Sequence, residues 1–138
     1  MAEGKVLTGA GLRGQVAGKT ALSTVGKSGA GLTYRGYDVQ DLAENCQFEE
    51  VAYLIFFGEL PTAEQLATYK AKLKSLRQLP QALKEVLERI PADSHPMDVM
   101  RTGVSMLGNI ETEKTFDEQQ DVADRILATL PAIICYWY

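Results

Sequence analysis

The sequence predicts a mainly α-helical protein that opens with a short β-hairpin and continues into about five to six helices. Three observations carry this reading. Most of the 12 glycines fall in residues 4–36, mixed with Thr, Val and Leu. From Asp38 onward, apolar residues recur at three- and four-residue spacing, as on the buried stripe of a helix. Capping residues and prolines then divide that stretch into separate helices.

In chain order, residues 15–25 and 31–34 read as short strands, separated by the turn-forming "GKSGAG" of residues 26–31. Asp38 is placed to cap a short helix through Ala43, because a carboxylate there can accept from the free amides of the first turn. A helix over residues 48–57 follows, with Val51, Leu54 and Ile55 on one side and Gly58 as its stop. Thr62 and Gln65 make a capping box for residues 63–76, where Leu66, Tyr69 and Leu73 share a face. Pro80 opens a helix near residues 81–90, with Pro91 just beyond it. Pro96 opens another through about Leu107. The last helix starts near Phe116 and carries Val122, Ile126, Leu130, Ile133 and Trp137 on one face. Past Leu130 it is apolar nearly all round, so burial is expected there; Pro131 removes a backbone donor and is expected to bend it. The whole chain reads as one segment, with a glycine-rich hairpin region in residues 1–36 and a helical region in residues 37–138.

Composition narrows the function. The chain has 138 residues, 46% hydrophobic and 23% charged, with a net charge of −4. That balance is globular, and without a Lys/Arg cluster it argues against nucleic acid as a partner. Nothing after Met1 resembles a secretory leader. The longest near-uncharged run, residues 126–138, is short of the roughly 20 residues that cross a bilayer. A cytoplasmic protein is expected. Cys46 and Cys135 lie far apart and read as buried reduced thiols.

Several motifs suggest chemistry. "GAGLRG", residues 9–14, has the letters of a dinucleotide fingerprint, and "GKT", residues 18–20, those of the end of a phosphate loop. Both motifs need a helix N-terminus directly afterwards to supply the field that holds the phosphate. The Gly-, Val- and Thr-rich stretch that follows does not favour one. His95, the only histidine, precedes Pro96 at a helix entrance; Asp93 and Ser94 could cap that helix, and Asp98 could pair with the imidazole. One histidine with distant cysteines makes neither a metal site nor a nucleophile–base pair. The acidic pairs Glu49/Glu50, Glu111/Glu113 and Asp117/Glu118 suit the first turns of helices. Lys70, Lys72 and Lys74 alternate and make a weak anion patch at most. Arg101, in an otherwise apolar helix, should find a partner or reach a boundary. Arg13, in a flexible glycine setting, could reach an anionic ligand. No catalytic residue is assigned, and no metal ligand.

"GLTYRGYDVQDLA" followed by "FEEVAYLIFFGELPT" resembles the start of the citrate synthase family. "HPMDVMRTGVSMLG" and "ADRILATLPAIICYW" resemble that family's next two signatures, in the same order, and the opening is most similar to its 2-methylcitrate synthase branch. The resemblance implies a dimeric, mostly helical enzyme that condenses an acyl-CoA, acetyl or propionyl, with oxaloacetate; acyl-CoA is then a substrate and no cofactor is implied. The family's two catalytic histidines and aspartate lie downstream of the matched segment, and His95 corresponds to none of them. Arg13 resembles a family arginine that reaches a phosphate of coenzyme A. The apolar ending then reads as a helix interrupted in mid-pattern, which implies the N-terminal portion of a longer protein inactive by itself. A non-catalytic helical dimerisation module is the alternative reading.

Overall fold

The computed structural model describes residue 16, residues 18–26 and residues 31–138. The chain divides into two compact units, Met1–Leu60 and Pro61–Tyr138.

In the first unit, strands β1 (Ser23–Val25), β2 (Leu32–Tyr34) and β3 (Tyr37–Asp38) form an antiparallel sheet in that order. Thr24 faces Thr33 across the first pair, and Thr33 also faces Asp38 across the second. The link from β2 to β3 is only Arg35 and Gly36, at φ 50° and 94°. Positive φ at both central residues is the signature of a tight hairpin turn whose twist matches its strands. An arginine there is strained, and two bonds offset the strain. Its backbone N–H donates to Leu22 O and a terminal guanidinium nitrogen donates to Ile55 O, each at 2.8 Å.

The sheet differs from the expected hairpin in two ways. Of the expected strand over residues 15–25, only Ser23–Val25 is paired among the described residues. Leu22 N–H donates to Thr20 Oγ1 at 3.1 Å, a side-chain turn that draws the backbone out of an extended ladder. The third strand, Tyr37–Asp38, was not expected, since two residues carry no periodic signal.

Helix α1 (Val39–Asn45) is capped by Asp38, whose carboxylate accepts from Gln40 N–H at 2.8 Å. Helix α2 (Phe48–Phe57) begins with Glu50 accepting from Gln47 N–H at 2.7 Å. It ends at Gly58, whose φ of 94° only glycine adopts freely and whose N–H closes the last turn on Leu54 O. Leu42 and Leu54 are the buried side chains of this pair.

The second unit is a four-helix arrangement. Helix α3 (Ala63–Ser75) starts at the Thr62/Gln65 box, helix α4 (Gln81–Leu87) at Pro80, and helix α5 (Pro96–Ile110) at His95. A 3₁₀ turn, Phe116–Glu118, leads into helix α6 (Gln119–Trp137), which runs through Pro131 without a break. Leu83 and Leu87 of α4, Val99 and Leu107 of α5, and Ile133 of α6 make the core. Each such side chain contributes about 1.5–3 kcal/mol by leaving water. Helices α5 and α6 approach closely at Gly103: a Cβ there would lie 2.6 Å from Ile133 Cγ2. Only a missing side chain permits that separation.

The stripe that α6 buries shares only Ile133 with the expected one, with Trp137 partly buried against the core. Asp124, Ala128, Thr129 and Ile133 are buried, whereas Val122, Ile126 and Leu130 are half-exposed and Cys135 and Tyr136 exposed. The expected face excluded every charged residue, but Asp124 has polar partners that carry it inside. Neither cysteine is buried as expected: Cys46 is half-exposed at the end of α1, Cys135 faces solvent, and both are free thiols. Glu111 also departs from expectation, standing at the C-terminal end of α5 rather than in a first turn.

Candidate functional site

Two polar junctions and a cavity lie along the first half of α6. Tyr69 and Lys72, three residues apart, present a hydroxyl and an ammonium from one side of α3. Both reach Asp124, whose side chain is 0% exposed: the Tyr69 hydroxyl donates to Oδ1 at 2.9 Å and Lys72 Nζ to Oδ2 at 2.7 Å. Gln120 Nε2 adds a third bond at 3.2 Å, and Lys72 also reaches Asp121 at 2.9 Å. A carboxylate can leave water only when its lone pairs are met in this way. Burial, followed by the bond to Asp124, pushes the Tyr69 hydroxyl well above the usual tyrosine range, so it stays a donor. The bonds to Asp121 and Asp124 hold Lys72 in its charged form and raise its pKa, against a smaller opposing effect of burial.

Arg125, the next residue, faces another way. Its Nε and one terminal nitrogen donate to the two oxygens of Glu111 at 2.8 and 2.7 Å, the bidentate fork of a strong ion pair. Its other terminal nitrogen donates to the carbonyls of Leu76 and, at 2.9 Å, Gln78. Leu76 ends α3 and Glu111 ends α5, so one guanidinium closes two helix ends. The Arg125 hydrogen bonds draw the Glu111 carboxyl below its ordinary pKa, partly opposed by burial.

Beside this pair lies an open cavity of about 600 Å³. Val104, Leu107, Val122 and Ile126 give it an apolar floor, and Glu111, Glu118, Asp121 and Arg125 stand along its edge. With four bonds occupied, Arg125 is committed to holding helices together and is not offered to an anion. Asp124 is likewise buried and engaged by three donors. These groups are structural.

The residues singled out in the sequence fall as follows. His95 is exposed, and its Nδ1 accepts from Met97 N–H at 3.2 Å, so the imidazole itself caps α5 in place of Asp93 or Ser94. Asp98 pairs with Arg101 at 3.0 Å and not with His95, which gives Arg101 the partner it was expected to find. Residues 18–20 are followed by bends and β1, with no helix N-terminus to hold a phosphate. Arg13 and the "GAGLRG" stretch lie outside the described residues. Among the described residues no group of three or more His, Cys, Asp or Glu side chains is placed to hold a metal ion, and no helix is long and apolar enough to cross a membrane. Sequence reasoning missed the Asp124 junction. Its available signal was a matched pair of patterns: Tyr69/Lys72 on one helix, and a lone Asp124 within an apolar run on another.

Comparison with known proteins decides the family. A family described as "Citrate synthase, C-terminal domain" matches residues 11–138. The chain belongs to the citrate synthase family. It is 75% identical over 138 residues to a 2-methylcitrate synthase of Shewanella oneidensis, covering 100% of this chain and 37% of that protein. The structure is similar to solved structures of two citrate synthases. That of Thermotoga maritima superimposes with a TM-score of 0.80 at 30% identity, over 93% of this chain and 33% of the other. That of Thermoplasma acidophilum, a ternary complex with carboxymethyl coenzyme A and oxaloacetate, gives 0.81 at 27% identity, over 91% and 34%. The chain therefore spans about 37% of the curated synthase that it matches. The mainly helical architecture expected from the sequence is that of this family.

Proposed function

We propose that this chain is the N-terminal part of an acyl-CoA:oxaloacetate C-acyltransferase of the 2-methylcitrate/citrate synthase type. The observation that carries the reading is its 75% identity, over every residue, to a 2-methylcitrate synthase. The same observation favours propionyl-CoA over acetyl-CoA as the donor. In the reaction a base removes an α-proton from the acyl thioester, and the resulting carbon attacks the ketone of oxaloacetate to form the new C–C bond. Water then cleaves the C–S bond and coenzyme A leaves as the thiol. Such a sequence needs a positioned base, and an acid for the thioester oxygen.

The described residues contribute support rather than those groups. His95, the one imidazole, is occupied as a helix cap. On this reading the acid–base set belongs to the rest of the enzyme, and the 138-residue chain alone does not turn over. Within this reading Arg13 binds a phosphate of coenzyme A, and the protein works in the cytoplasm. The half-exposed Val122, Ile126 and Leu130, the first two within the apolar floor of the cavity, support self-association of α5 and α6 about a two-fold axis.

The test is a thiol-release assay on the product of the reading frame continued beyond Tyr138, with oxaloacetate and either acyl-CoA. Release that requires both substrates and is faster with propionyl-CoA is expected. A frame that stops at Tyr138, or a longer product without turnover, would favour the non-catalytic dimerisation module. In the active protein, Arg13→Ala should raise the KM for acyl-CoA and leave that for oxaloacetate unchanged. Equal changes in both, or none, would remove Arg13 from the site.

A further inference from the structure

Helix α5 is capped unlike the other helices. Asp38 accepts at α1 and Thr62 at α3, whereas α5 relies on the Nδ1 lone pair of an imidazole. Pro96 at the first helical position has no N–H, and Asp98 N–H is met by the His95 carbonyl at 2.9 Å. Met97 N–H is thus the amide that the imidazole serves, at 3.2 Å. A ring nitrogen that accepts carries no proton, so the capping form is the neutral tautomer with its hydrogen on Nε2. Protonation removes that acceptor outright and sets a positive charge against the positive end of the helix dipole. A hydroxyl or amide cap has no equivalent state.

We propose that His95 is a proton-operated cap: neutral imidazole holds the first turn of α5 closed, and imidazolium releases it. The charged groups to weigh lie in the turn before α5, on α5 itself and on α4 and α6, the helices packed against it. Asp93 precedes it in the turn, and Asp98 on α5 is engaged by Arg101 at 3.0 Å. On α4, Lys84 lies over the Tyr136 ring and Glu85 accepts from Gln81 Nε2 at 3.5 Å; just past the helix, Glu88 accepts from the Tyr136 hydroxyl and Arg89 follows. The last turn of α6 carries no basic side chain. Among the described residues none of these groups makes an ion pair with His95. Attraction by Asp93 or Asp98 would work the other way, holding the imidazolium in place and tightening the turn in acid. The sign of the pH effect therefore separates the two.

The experiment is amide exchange at Met97 and Asp98 on the 138-residue chain, between about pH 7.5 and 5.5, the range in which histidines exchange their proton. Protection factors are corrected for intrinsic exchange and compared with His95→Asn, whose side-chain oxygen accepts at any pH. Protection of Met97 in the natural chain should fall about fivefold toward the acid end, the factor set by one capping bond of ordinary strength. The Asn variant should stay level. Nitrogen shifts of the ring at pH 7.5 should show the hydrogen on Nε2. Equal pH dependence in both proteins, protection that rises in acid, or a ring already carrying hydrogen on Nδ1 would each overturn the proposal.

Discussion

The two halves of α6 are held by different physics. Its first half enters the fold through charge: Asp124 is buried under Tyr69, Lys72 and Gln120, and Arg125 ties Glu111 to the end of α3. Its second half enters through shape, with Ile133 filling the space that Gly103 leaves and joining Leu83, Leu87 and Val99. The polar contacts are directional and so fix rotation and register; each also leaves a costly orphan if one partner is lost. The apolar contacts are non-directional and respond to volume. One helix can thus be specified at one end and stabilised at the other.

Substitutions that change only volume or only charge should separate the halves. The largest effect is expected at the apolar end, where Ile133→Ala removes a fully buried side chain and leaves a cavity, costing about 3–4 kcal/mol in denaturant unfolding. Ile133→Val should cost only about 1 kcal/mol. If the two cost the same, volume does not govern that end. In the polar half, Lys72→Met keeps the stem but leaves Asp124 buried without its cation. About 2 kcal/mol is expected, lower than for a fully buried pair because Lys72 is 41% exposed. Adding Asp124→Leu to Lys72→Met should recover part of the loss, since a buried pair replaced by apolar groups is often neutral. Strict additivity in that cycle would show that the two residues act independently.

Smaller effects sharpen the contrast. Gly103→Ala forces Ile133 to shift, and about 1–2 kcal/mol is expected once the better helix propensity of alanine is subtracted. The acid limb of stability should trace to Glu111. Its pKa is lowered in the folded state by Arg125, so its contribution is full above the ordinary carboxylate value and lost as pH falls through the lower folded value. The melting temperature of the natural chain should therefore drop in that window, below about pH 4.5, and Glu111→Gln should flatten the fall. An unchanged acid limb in the variant would place the sensitivity elsewhere. Lys72 has the opposite sign: its raised pKa preserves its ion pairs through neutrality, and they are lost only as pH rises through that raised value.

Where local chemistry decides, the fold was legible in the sequence. Asp38, Thr62 with Gln65, and Gly58 mark helix ends because their side chains or backbone freedom meet the unpaired groups found there, and Pro80 does so because its ring fixes φ at a helix entrance. The buried face of α6 was legible at Ile133 but not in its first half, because a hydrophobic pattern counts Asp124 as solvent-facing and cannot see Tyr69 and Lys72 some 50 residues away. Glu111 was assigned to a helix start for a similar reason: its partner, Arg125, is distant in sequence. Tyr37–Asp38 is too short to show alternation. At the candidate site, the sequence singled out His95 correctly as a helix-entrance residue. That the ring itself is the cap depends on a rotamer, which composition does not encode.

The reading of this chain as scaffold for a synthase whose reacting groups lie elsewhere is tested most directly by thiol release from the purified 138-residue chain. Its helical content would first be verified by circular dichroism, and propionyl-CoA and oxaloacetate supplied together. No release above the uncatalysed rate is expected, because loss of a single acid–base group already costs about 10²–10⁴-fold and, on this reading, the whole set lies outside this chain. Turnover that depends on both substrates, at a rate comparable to a full-length synthase, would contradict it and place the catalytic groups within this chain.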